Sequence, residues 1–410
     1  MSMKVAATDY LPKLPHEGVL GKWVVVREYD EERDKVAVEK LERQCEVGQQ
    51  GKPSLVTDLM GDPLCRARNL PVHMMLVAEY GEEEIVGVIR GSVKSVSRGN
   101  SIYVKLAYIL GLRVSPTHRR LGIGTKLVRE LEKWCELNGA NYAYMATECT
   151  NQASINLFTK KFSYVKFRTP TVLVQPVHAH YKPTGSGIAI VKLTPLLAES
   201  IYSRIFANSE FFPKDIDNIL RNKLNLGTFM ALPKEFHPHW DPKTDSLPPS
   251  FAVLSIWNSK EVAKMQLTGV SALTYACCMG TRFFDECMPW LRLPSFPDVF
   301  RPFGIYFLYG LHMAGQNASR LMKSLCAFAH NMARDDVACG AVVAEVGQRD
   351  PVREAIPHWK RLSWAEDMWC MKNLVDAKHD DARDEKSTEP SDWIKSQSSS
   401  SVIFVDPRDF

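Results

Sequence analysis

The strongest constraint on the fold is an internal repeat, because a duplicated sequence predicts a duplicated structure. The segment Tyr108–Val114 (YILGLRV) is matched by Phe307–Met313 (FLYGLHM). In each half, an amphipathic helix, a strand, a second helix and a Lys-containing tail with a closing aromatic residue follow in the same order. The spacing from the central glycine to that aromatic residue is 53 residues in the first half and 54 in the second. A duplication accounts for this register better than the alternative, two α/β segments of similar composition.

Hydrophobic periodicity predicts an α/β fold with a mixed sheet that carries helices on both faces. The first half reads as strand, helix, three strands, helix, strand, helix, strand. Its clearest helix is Thr125–Asn138, and the apolar strand before it, Tyr103–Val114, is expected to be central in the sheet. Gly48–Pro71 is rich in Gly, Pro and Asp, which predicts a loop with short helical pieces. The repeat then predicts tandem domains of this kind.

Composition divides the chain into five predicted segments. These are a flexible N-terminus (1–22), a first domain (23–170), a Pro/His/Gly-rich linker (171–187), a degenerate second copy (188–375) and a polar, Ser-rich tail expected to be mostly disordered (376–410). Only the closing SVIFVD of the tail (401–406) has a composition that would let it dock as a strand.

The turn between the central strand and the main helix, Arg119-Arg120-Leu121-Gly122-Ile123-Gly124, has the composition of an anion site. A helix N-terminus leaves backbone N–H groups unpaired and carries partial positive charge, so it can bind phosphate oxygens. The two glycines permit close approach and unusual dihedrals, and the arginines add charge. The second half offers Gly315–Arg320 without this pattern, so only the first turn is expected to bind phosphate. An ordinary turn with surface arginines is the alternative.

In its strand, turn and helix context, the stretch from Tyr108 to Phe167 resembles motifs A and B of the GNAT N-acetyltransferases. Arg119-x-x-Gly122-x-Gly124 fits their Arg/Gln-x-x-Gly-x-Gly/Ala pattern. Asn151-x-x-Ser154-x-x-Leu157-Phe158 fits their Asn-x-x-Ala-x-x-Leu-Tyr pattern with two departures. Over the full chain, three stretches are similar to the plant Hookless-type N-acetyltransferases: Trp23–Asp30, Leu106–Ala153 and Phe206–Pro233.

The resemblance implies acetyl-CoA as cosubstrate and a set of residues that hold it. The backbone at 112–114 would pair with the pantetheine arm like an added strand, where the sheet must splay, often through a bulge. The N–H groups of 120–125 would hold the pyrophosphate, and Asn151 would lie beside the pantetheine. The predicted cofactor-binding residues are Leu112, Arg113, Val114, Arg119, Arg120, Leu121, Gly122, Ile123, Gly124, Thr125, Asn151 and Phe158.

The implied reaction is acetyl transfer to a primary amine, which favours a general base and a proton donor for the thiolate. Glu148, at the end of the strand before Asn151, is the candidate base; a solvated strand-end carboxylate is the equal alternative. Glu79 is a weaker candidate. The family's usual acid is a tyrosine at the position of Phe158, and phenylalanine has no proton to donate. Tyr144, Cys149 or water would have to replace it, or turnover would be slow or absent.

Whole-chain properties limit the partners. Net charge is +4, too mild for a dedicated nucleic-acid binder, and no apolar run approaches the ~18 residues of a membrane span. The ten cysteines form no C-x-x-C pair, which favours an intracellular protein, and no metal site is expected. The resemblance further implies a nuclear protein acting on lysines of histones or other proteins. Whether the protein forms a homo-oligomer is left open.

Two functions are therefore compatible with the sequence. One is an active acetyltransferase that uses acetyl-CoA and an amine acceptor. The other is a catalytically weak or inactive acetyl-CoA-binding regulatory or scaffold protein, which Phe158 and the unequipped second copy favour.

Overall fold

The computed structural model describes residues 23–45, 54–81, 83–240, 247–288, 297–360, 367–375 and 402–410, together with 290, 295, 363 and 393–394. The strands, in chain order, are β1 (Val24–Glu28), β2 (Ser54–Asp58), β3 (Val72–Tyr80), β4 (Glu84–Arg98), β5 (Tyr103–Val114), β6 (Tyr142–Glu148), β7 (Val165–Arg168), β8 (Thr171–Pro176), β9 (Ile188–Leu193), β10 (Glu210–Pro213), β11 (Asn225–Pro233), β12 (Phe251–Asn258), β13 (Lys264–Thr268), β14 (Gly304–Ala314), β15 (Cys339–Val346) and β16 (Asp367–Asn373). The helices are α1 (Glu31–Gln44), α2 (Ile123–Leu137), α3 (Gln152–Asn156), α4 (Pro195–Ile205), α5 (Ile216–Arg221), α6 (Ala272–Cys287) and α7 (Ala318–Asp335).

Two mixed sheets organise these elements, and they confirm the predicted α/β class with tandem copies. The first sheet has the order β1-β3-β4-β5-β6-β16-β7, with β10 added to β4. The second has the order β8-β15-β14-β12-β11-β9. In each sheet one parallel pair, β5 with β6 or β14 with β15, interrupts an otherwise antiparallel arrangement. That parallel pair is connected by the long amphipathic helix, α2 or α7.

The two copies exchange strands, and this corrects two predicted domain boundaries. Residues 171–187 were expected to be linker, but β8 pairs with β15 as the edge of the second sheet. Strand β16 was expected to belong to the second domain, but it lies in the first sheet between β6 and β7. Composition could not reveal this exchange because strand partners are set by long-range pairing. The predicted segments 1–22 and 376–392 lie outside the described residues.

The predicted tail is also corrected at its end. Residues 402–410 are packed between the sheets: Phe404 and Arg408 are 2% and 5% exposed, and a short parallel bridge joins Ile403 to Glu210. The interior is held by a charged network in which Lys94 of β4 reaches Asp406 at 3.0 Å. Residues 402–406 of the predicted segment therefore dock, although through a single bridge at Ile403 and not as a strand, and a short 3₁₀ turn, Pro407–Asp409, follows.

Helix α2 shows how the sequence places the candidate site. Its apolar face, including Leu127 and Leu131, is fully buried against the first sheet. Close approach depends on Gly91 of β4, because a Cβ at that position would lie 2.8 Å from a Leu131 methyl group. The N-terminus of α2 is thereby fixed beside the end of β5. One loop prediction is wrong: within Gly48–Pro71, residues 54–58 form β2, paired with β13.

Candidate active site

The first sheet opens at a bulge in β5. Gly111 has a φ of +62°, and the register between β5 and β4 shifts between Val88 and Arg90. On its other edge, β5 pairs with β6 only along Leu106–Ile109. Beyond this point the two parallel strands separate, as a sheet does when a bulge bends one strand. The β6-facing edge of residues 110–114 is therefore outside the ladder, where an extended ligand could add.

The turn that follows β5 is shaped by two left-handed residues. Arg120 has a φ of +66° and Gly122 a φ of +80°, and α2 begins at Ile123. Among the residues that the structure describes, no side chain caps this helix end, and no atom of a non-adjacent residue lies within 4 Å of the Cβ position of Gly122. Because the first N–H groups of a helix lack intrahelical acceptors, an open and uncapped helix end can bind an anion.

The residues of this turn divide into exposed and buried positions. Arg119, Arg120, Leu121 and Gly122 are exposed, whereas the side chains of Ile123 and Thr125 are 1% and 9% exposed and belong to the helix's inner face. The last two can therefore offer only backbone groups to a ligand. The roles of all these residues as cofactor ligands stay predictions.

The end of β5 lies against the start of α2. A Cβ at Gly124 would sit 3.8 Å from Val114 and 3.9 Å from Leu112, which is ordinary van der Waals contact. The Arg113 side chain instead turns to Glu42, with Nε 3.4 Å from a carboxylate oxygen. The strand end and the turn predicted to hold the two ends of one cofactor therefore lie side by side.

Glu148 lies at the far end of β6, past the point where β5 and β6 separate. Its register partner across β6 and β16 is Asp367, so the two carboxylates are cross-strand neighbours. Burial and the charge of Glu148 raise the pKa of Asp367 to about 6. Glu148 also accepts a hydrogen bond from the Thr150 hydroxyl at 3.2 Å. A partly buried carboxylate pair thus stands at the mouth of the splay.

The other two predicted catalytic residues have structural partners. Glu79 lies on β3, three strands from β6, and binds the guanidinium groups of Arg27 and Arg33 at 2.5 and 2.8 Å. Tyr144 is 2% exposed, and its hydroxyl donates to Asp409 Oδ2 at 2.6 Å. Burial and the Asp409 charge raise the pKa of Tyr144 well above its usual range. The Glu79 carboxylate and the Tyr144 hydroxyl thus both have protein partners, and the raised pKa makes Tyr144 a weak acid.

Asn151 and Phe158 lie on either side of α3. The Asn151 side chain is exposed and caps α3 by accepting from the Ser154 N–H at 3.2 Å. Phe158 is 2% exposed and packs edge-to-face on Tyr164, with ring centroids 5.1 Å apart. Its ring therefore belongs to the core beneath the site, and its predicted role as a cofactor contact stays a prediction.

Three carboxylates that the sequence did not single out also lie in this region: Asp367, Asp409 and Glu345 of β15. They come from strands and a terminal turn far apart along the chain, and no local motif marks them. Among the described residues, no group of three or more His, Cys, Asp or Glu side chains is arranged to hold a metal ion. Nor does any helix in that part of the chain combine the length and hydropathy of a membrane span.

Comparison with known proteins places these features in a family. Residues 38–164 match the model of the acetyltransferase (GNAT) family. The chain is 49% identical to "Probable N-acetyltransferase HLS1" of Arabidopsis thaliana, over 94% of this chain and 100% of that protein. It is 42% identical to "Acetyl transferase GW6a" of Oryza sativa subsp. japonica, over 94% of this chain and 97% of that protein.

The fold has solved counterparts as well. Saccharomyces cerevisiae N-myristoyltransferase, solved with bound myristoyl-CoA, superposes with a TM-score of 0.52 at 11% identity, covering 87% of this chain and 80% of that one. This likeness concerns the fold, since sequence identity is low. The HLS1-like relatives, in contrast, match over nearly the whole chain. Sequence and fold together show that this protein belongs to the GNAT acetyltransferase family, among the HLS1-like plant N-acetyltransferases.

Proposed function

We propose that the protein is an acetyl-CoA-dependent N-acetyltransferase that acetylates a primary amine. The observation that carries this proposal is the separation of β5 from β6 beside an open, uncapped helix end. An unpaired strand edge suits the amide-bearing pantetheine arm, and the helix end suits a pyrophosphate. The residues present therefore fit acetyl-CoA, with 112–114 and 120–125 as its backbone partners, Arg119 as a charged contact and Asn151 near the arm.

Glu148 is the proposed base. A lysine-type amine with a pKa of ~10.4 is mostly protonated at pH 7, and its neutral form costs roughly 4.6 kcal/mol, so removal of the proton is worth assisting. Bound acetyl-CoA supplies the activated acetyl group. Glu148, directly or through water, accepts the ammonium proton at the end of the splay, where Asp367 shares the site.

The proton donor for the thiolate is assigned to Cys149 or water. Phe158 has no proton to give, and Tyr144 is buried and already donates to Asp409. Cys149 follows Glu148 directly and is partly exposed. The family's usual acid, a tyrosine, is replaced by Phe158 in this chain. That replacement favours the second candidate function, a catalytically weak acetyl-CoA-binding regulator or scaffold.

We further propose lysines of histones or other proteins as acceptors and the nucleus as the location. Both follow from the resemblance to Hookless-type proteins rather than from the geometry. Microscopy of a fluorescent fusion in plant cells tests the location, and exclusion from nuclei would contradict it.

One experiment separates an enzyme from a regulator. Acetyl-CoA affinity is measured by calorimetry for the wild type and Gly124→Glu, and release of free CoA is measured with histone peptides and polyamines. We expect the wild type to bind, the variant not to bind, and CoA release to require both protein and amine. Binding without amine-dependent release supports the regulator; wild-type affinity in Gly124→Glu contradicts the proposed site.

A further inference from the structure

The last turn of α1 lies against the bulge of β5, on the face of the first sheet opposite α2. Leu41 of α1 and Val88 of β4 belong to one buried cluster on that face. The next residue of the helix, Glu42, lies where β5 and β4 shift register. The thiol of Cys45 lies 3.5 Å from the Val114 carbonyl oxygen. The end of α1 is therefore in direct contact with the strand proposed to bind the pantetheine arm.

Glu42 connects the two strands across the register shift. Its Oε1 accepts a hydrogen bond from Arg90 Nη1 at 2.8 Å, and its Oε2 lies 3.4 Å from Arg113 Nε. Arg90 of β4 is opposite Leu110, the last pair before the shift. Arg113 of β5 is opposite Val88, the first pair after it. One carboxylate thus binds arginines on both strands and on both sides of the bulge.

Arg90 also supports the bulge residue itself. A Cβ at Gly111 would lie 2.6 Å from Arg90 Nη1, and this nitrogen donates to the Gly111 carbonyl oxygen at 3.4 Å. Arg90 Nε donates to the Pro63 carbonyl oxygen at 2.7 Å, which fixes the plane of the guanidinium group. The Arg90 and Glu42 side chains are only 4% and 13% exposed. A change at Glu42 is therefore passed through Arg90 to the backbone of the bulge.

Glu42 carries a negative charge in this position. Burial raises its pKa, but the charges of Arg90 and Arg113 and the hydrogen bond from Arg90 outweigh burial and hold the pKa below its ordinary value. Among the described residues, Glu42 is the only carboxylate within ion-pair distance of either arginine. Removing one partner of a buried ion pair leaves the other charge uncompensated. A neutral residue at position 42 should therefore displace both guanidinium groups.

The second copy forms the same bulge without an ion pair. Ser255 of β12 holds the position of Arg90, opposite the residue that precedes the bulge glycine. A Cβ at Gly310 would lie 2.6 Å from the hydroxyl oxygen of Tyr202, which comes from α4 and shares a 2.7 Å hydrogen bond with Ser255. The bulge thus needs a side chain beneath its glycine, but it does not need charges. The ion pairs serve a purpose that only the first copy has.

The open edges of the two strand ends differ in their support. In the second copy, residues 403–405 border the same narrow recess as Gly310 and Glu345, past the last pair of β14 and β15. A segment of the chain therefore packs into that splay. In the first copy, the β6-facing edge of 110–114 lies outside the ladder. A strand end that leaves this edge free for a ligand must be held from β4 and from the face of the sheet, where Glu42 lies.

We propose that Glu42 is a positioning residue for the acetyl-CoA site, which holds the end of β5 in its splayed conformation through Arg90 and Arg113. This inference rests on the proposed function and adds to it a residue of α1, outside the strand, turn and helix that carry the motifs. Glu42 acts on the cofactor through the backbone of 112–114, whose outward groups pair with the pantetheine arm.

Two measurements on the full-length protein test the role of Glu42. Calorimetry measures acetyl-CoA affinity, and mass spectrometry follows hydrogen exchange of residues 110–114 without ligand. Glu42→Gln keeps the shape of the side chain and removes its charge. Val38→Ala, one turn earlier on the buried face of α1, is the control for lost stability. Tyr202→Phe, which removes the hydroxyl beneath the second bulge, is the matched control in the other copy.

We expect Glu42→Gln to bind acetyl-CoA at least about 10-fold more weakly, because two buried cations lose their partner. Exchange at 110–114 should become faster in this variant. Val38→Ala should lower the unfolding midpoint through its cavity but, like Tyr202→Phe, keep the affinity within about 3-fold of wild type. Arg113→Gln leaves Arg90 paired and should change affinity and exchange in the same direction as Glu42→Gln, by less.

Three outcomes overturn the inference: wild-type affinity in Glu42→Gln, wild-type exchange at 110–114 in that variant, or an equal loss of affinity in Val38→Ala. Circular dichroism checks folding, and if Glu42→Gln does not fold, the same outcomes are read from Arg113→Gln. Failure of the wild type to bind acetyl-CoA would instead refute the proposed function. The exchange comparison is made without ligand and is read independently of that result.

Discussion

The two sheets share a bulge but differ in the turn that follows it. Gly111 in β5 and Gly310 in β14 have φ values of +62° and +60°, and each lies beside a register shift with its antiparallel neighbour. In both sheets the parallel pairing stops just before the bulge. The splay is therefore a property of the duplicated fold. Because it occurs twice, it cannot by itself specify a cofactor site.

The difference lies in what occupies the turn. The helix starts 12 residues after the bulge glycine in the first copy (111 to 123) and 8 residues after it in the second (310 to 318). A Cβ at Gly122 would meet no described non-adjacent residue within 4 Å, whereas a Cβ at Gly315 would lie 2.1 Å from the Pro249 carbonyl oxygen. The Ser250 hydroxyl also donates to the Gln316 carbonyl. The second turn is thus filled by its own chain.

The largest expected effect is a difference in folding stability between alanine variants of these two glycines. Both have left-handed dihedrals, near +80° for Gly122 and +85° for Gly315. Gly122→Ala should cost about 1 kcal/mol of folding free energy, the usual cost of a side chain in this conformation. Gly315→Ala should cost about 3 kcal/mol or more, because the new Cβ meets backbone as well. Denaturant unfolding of the two variants measures the difference, and equal losses would contradict the filled second turn.

The next effect concerns acetyl-CoA affinity. Gly124→Glu should weaken binding by about 100-fold or more, because a carboxylate beside the pyrophosphate adds like-charge repulsion. Ser319→Glu, at the same helical position in the second copy, should bind as wild type does. Gly124→Ala is the steric control and should retain binding, since its Cβ would make only contacts of 3.6–3.9 Å. Calorimetry measures the acetyl-CoA affinity of the wild type and of the three variants. A similar loss of affinity in Ser319→Glu would indicate that the cofactor binds at the second turn, which contradicts the proposed site.

A smaller effect is expected from the exposed arginines of the first turn. Arg119→Ala and Arg120→Ala should each reduce acetyl-CoA affinity by about 3- to 10-fold, as charge-assisted contacts at an exposed surface do. The reduction should shrink as salt is added. Arg320→Ala, in the second turn, should have no effect because its guanidinium donates to the Ser186 carbonyl. Equal salt dependence in all three variants would show that the arginines act only at long range.

The sequence predicted the parts of this comparison that local patterns encode. The left-handed turn follows from Gly122, and the buried face of α2 from the helical spacing of Leu127 and Leu131. The matching glycines of the two copies indicated the duplication before any sheet was seen. These features depend on residues within one or two elements, which hydrophobic period and turn chemistry describe directly.

What the sequence could not provide depends on pairing between distant segments. The exchange of β8 and β16 between sheets, and the docking of Asp409 beside Tyr144, join residues separated by more than 160 positions. The same exchange brings Asp367 next to Glu148. Pairing between segments so far apart in the sequence leaves no periodic pattern of residues that could have predicted it.

The smallest expected effect tests the charge difference between the copies. Ala146 follows the last residue of β6 that pairs with β5, and Glu345 follows the last residue of β15 that pairs with β14. Because the folded-state pKa of Glu345 is raised to about 8, the folded protein binds an extra proton between roughly pH 4.5 and 8, and stability falls as pH rises through that window. Glu345→Gln should therefore match wild type near pH 5 and exceed it by about 1 kcal/mol at pH 8.5, well below the full shift because the side chain is partly exposed. Denaturant unfolding at both pH values measures the difference in unfolding free energy between Glu345→Gln and wild type. If that difference is the same at the two pH values, folding does not raise the pKa of Glu345, and the residue behaves as an ordinary surface carboxylate.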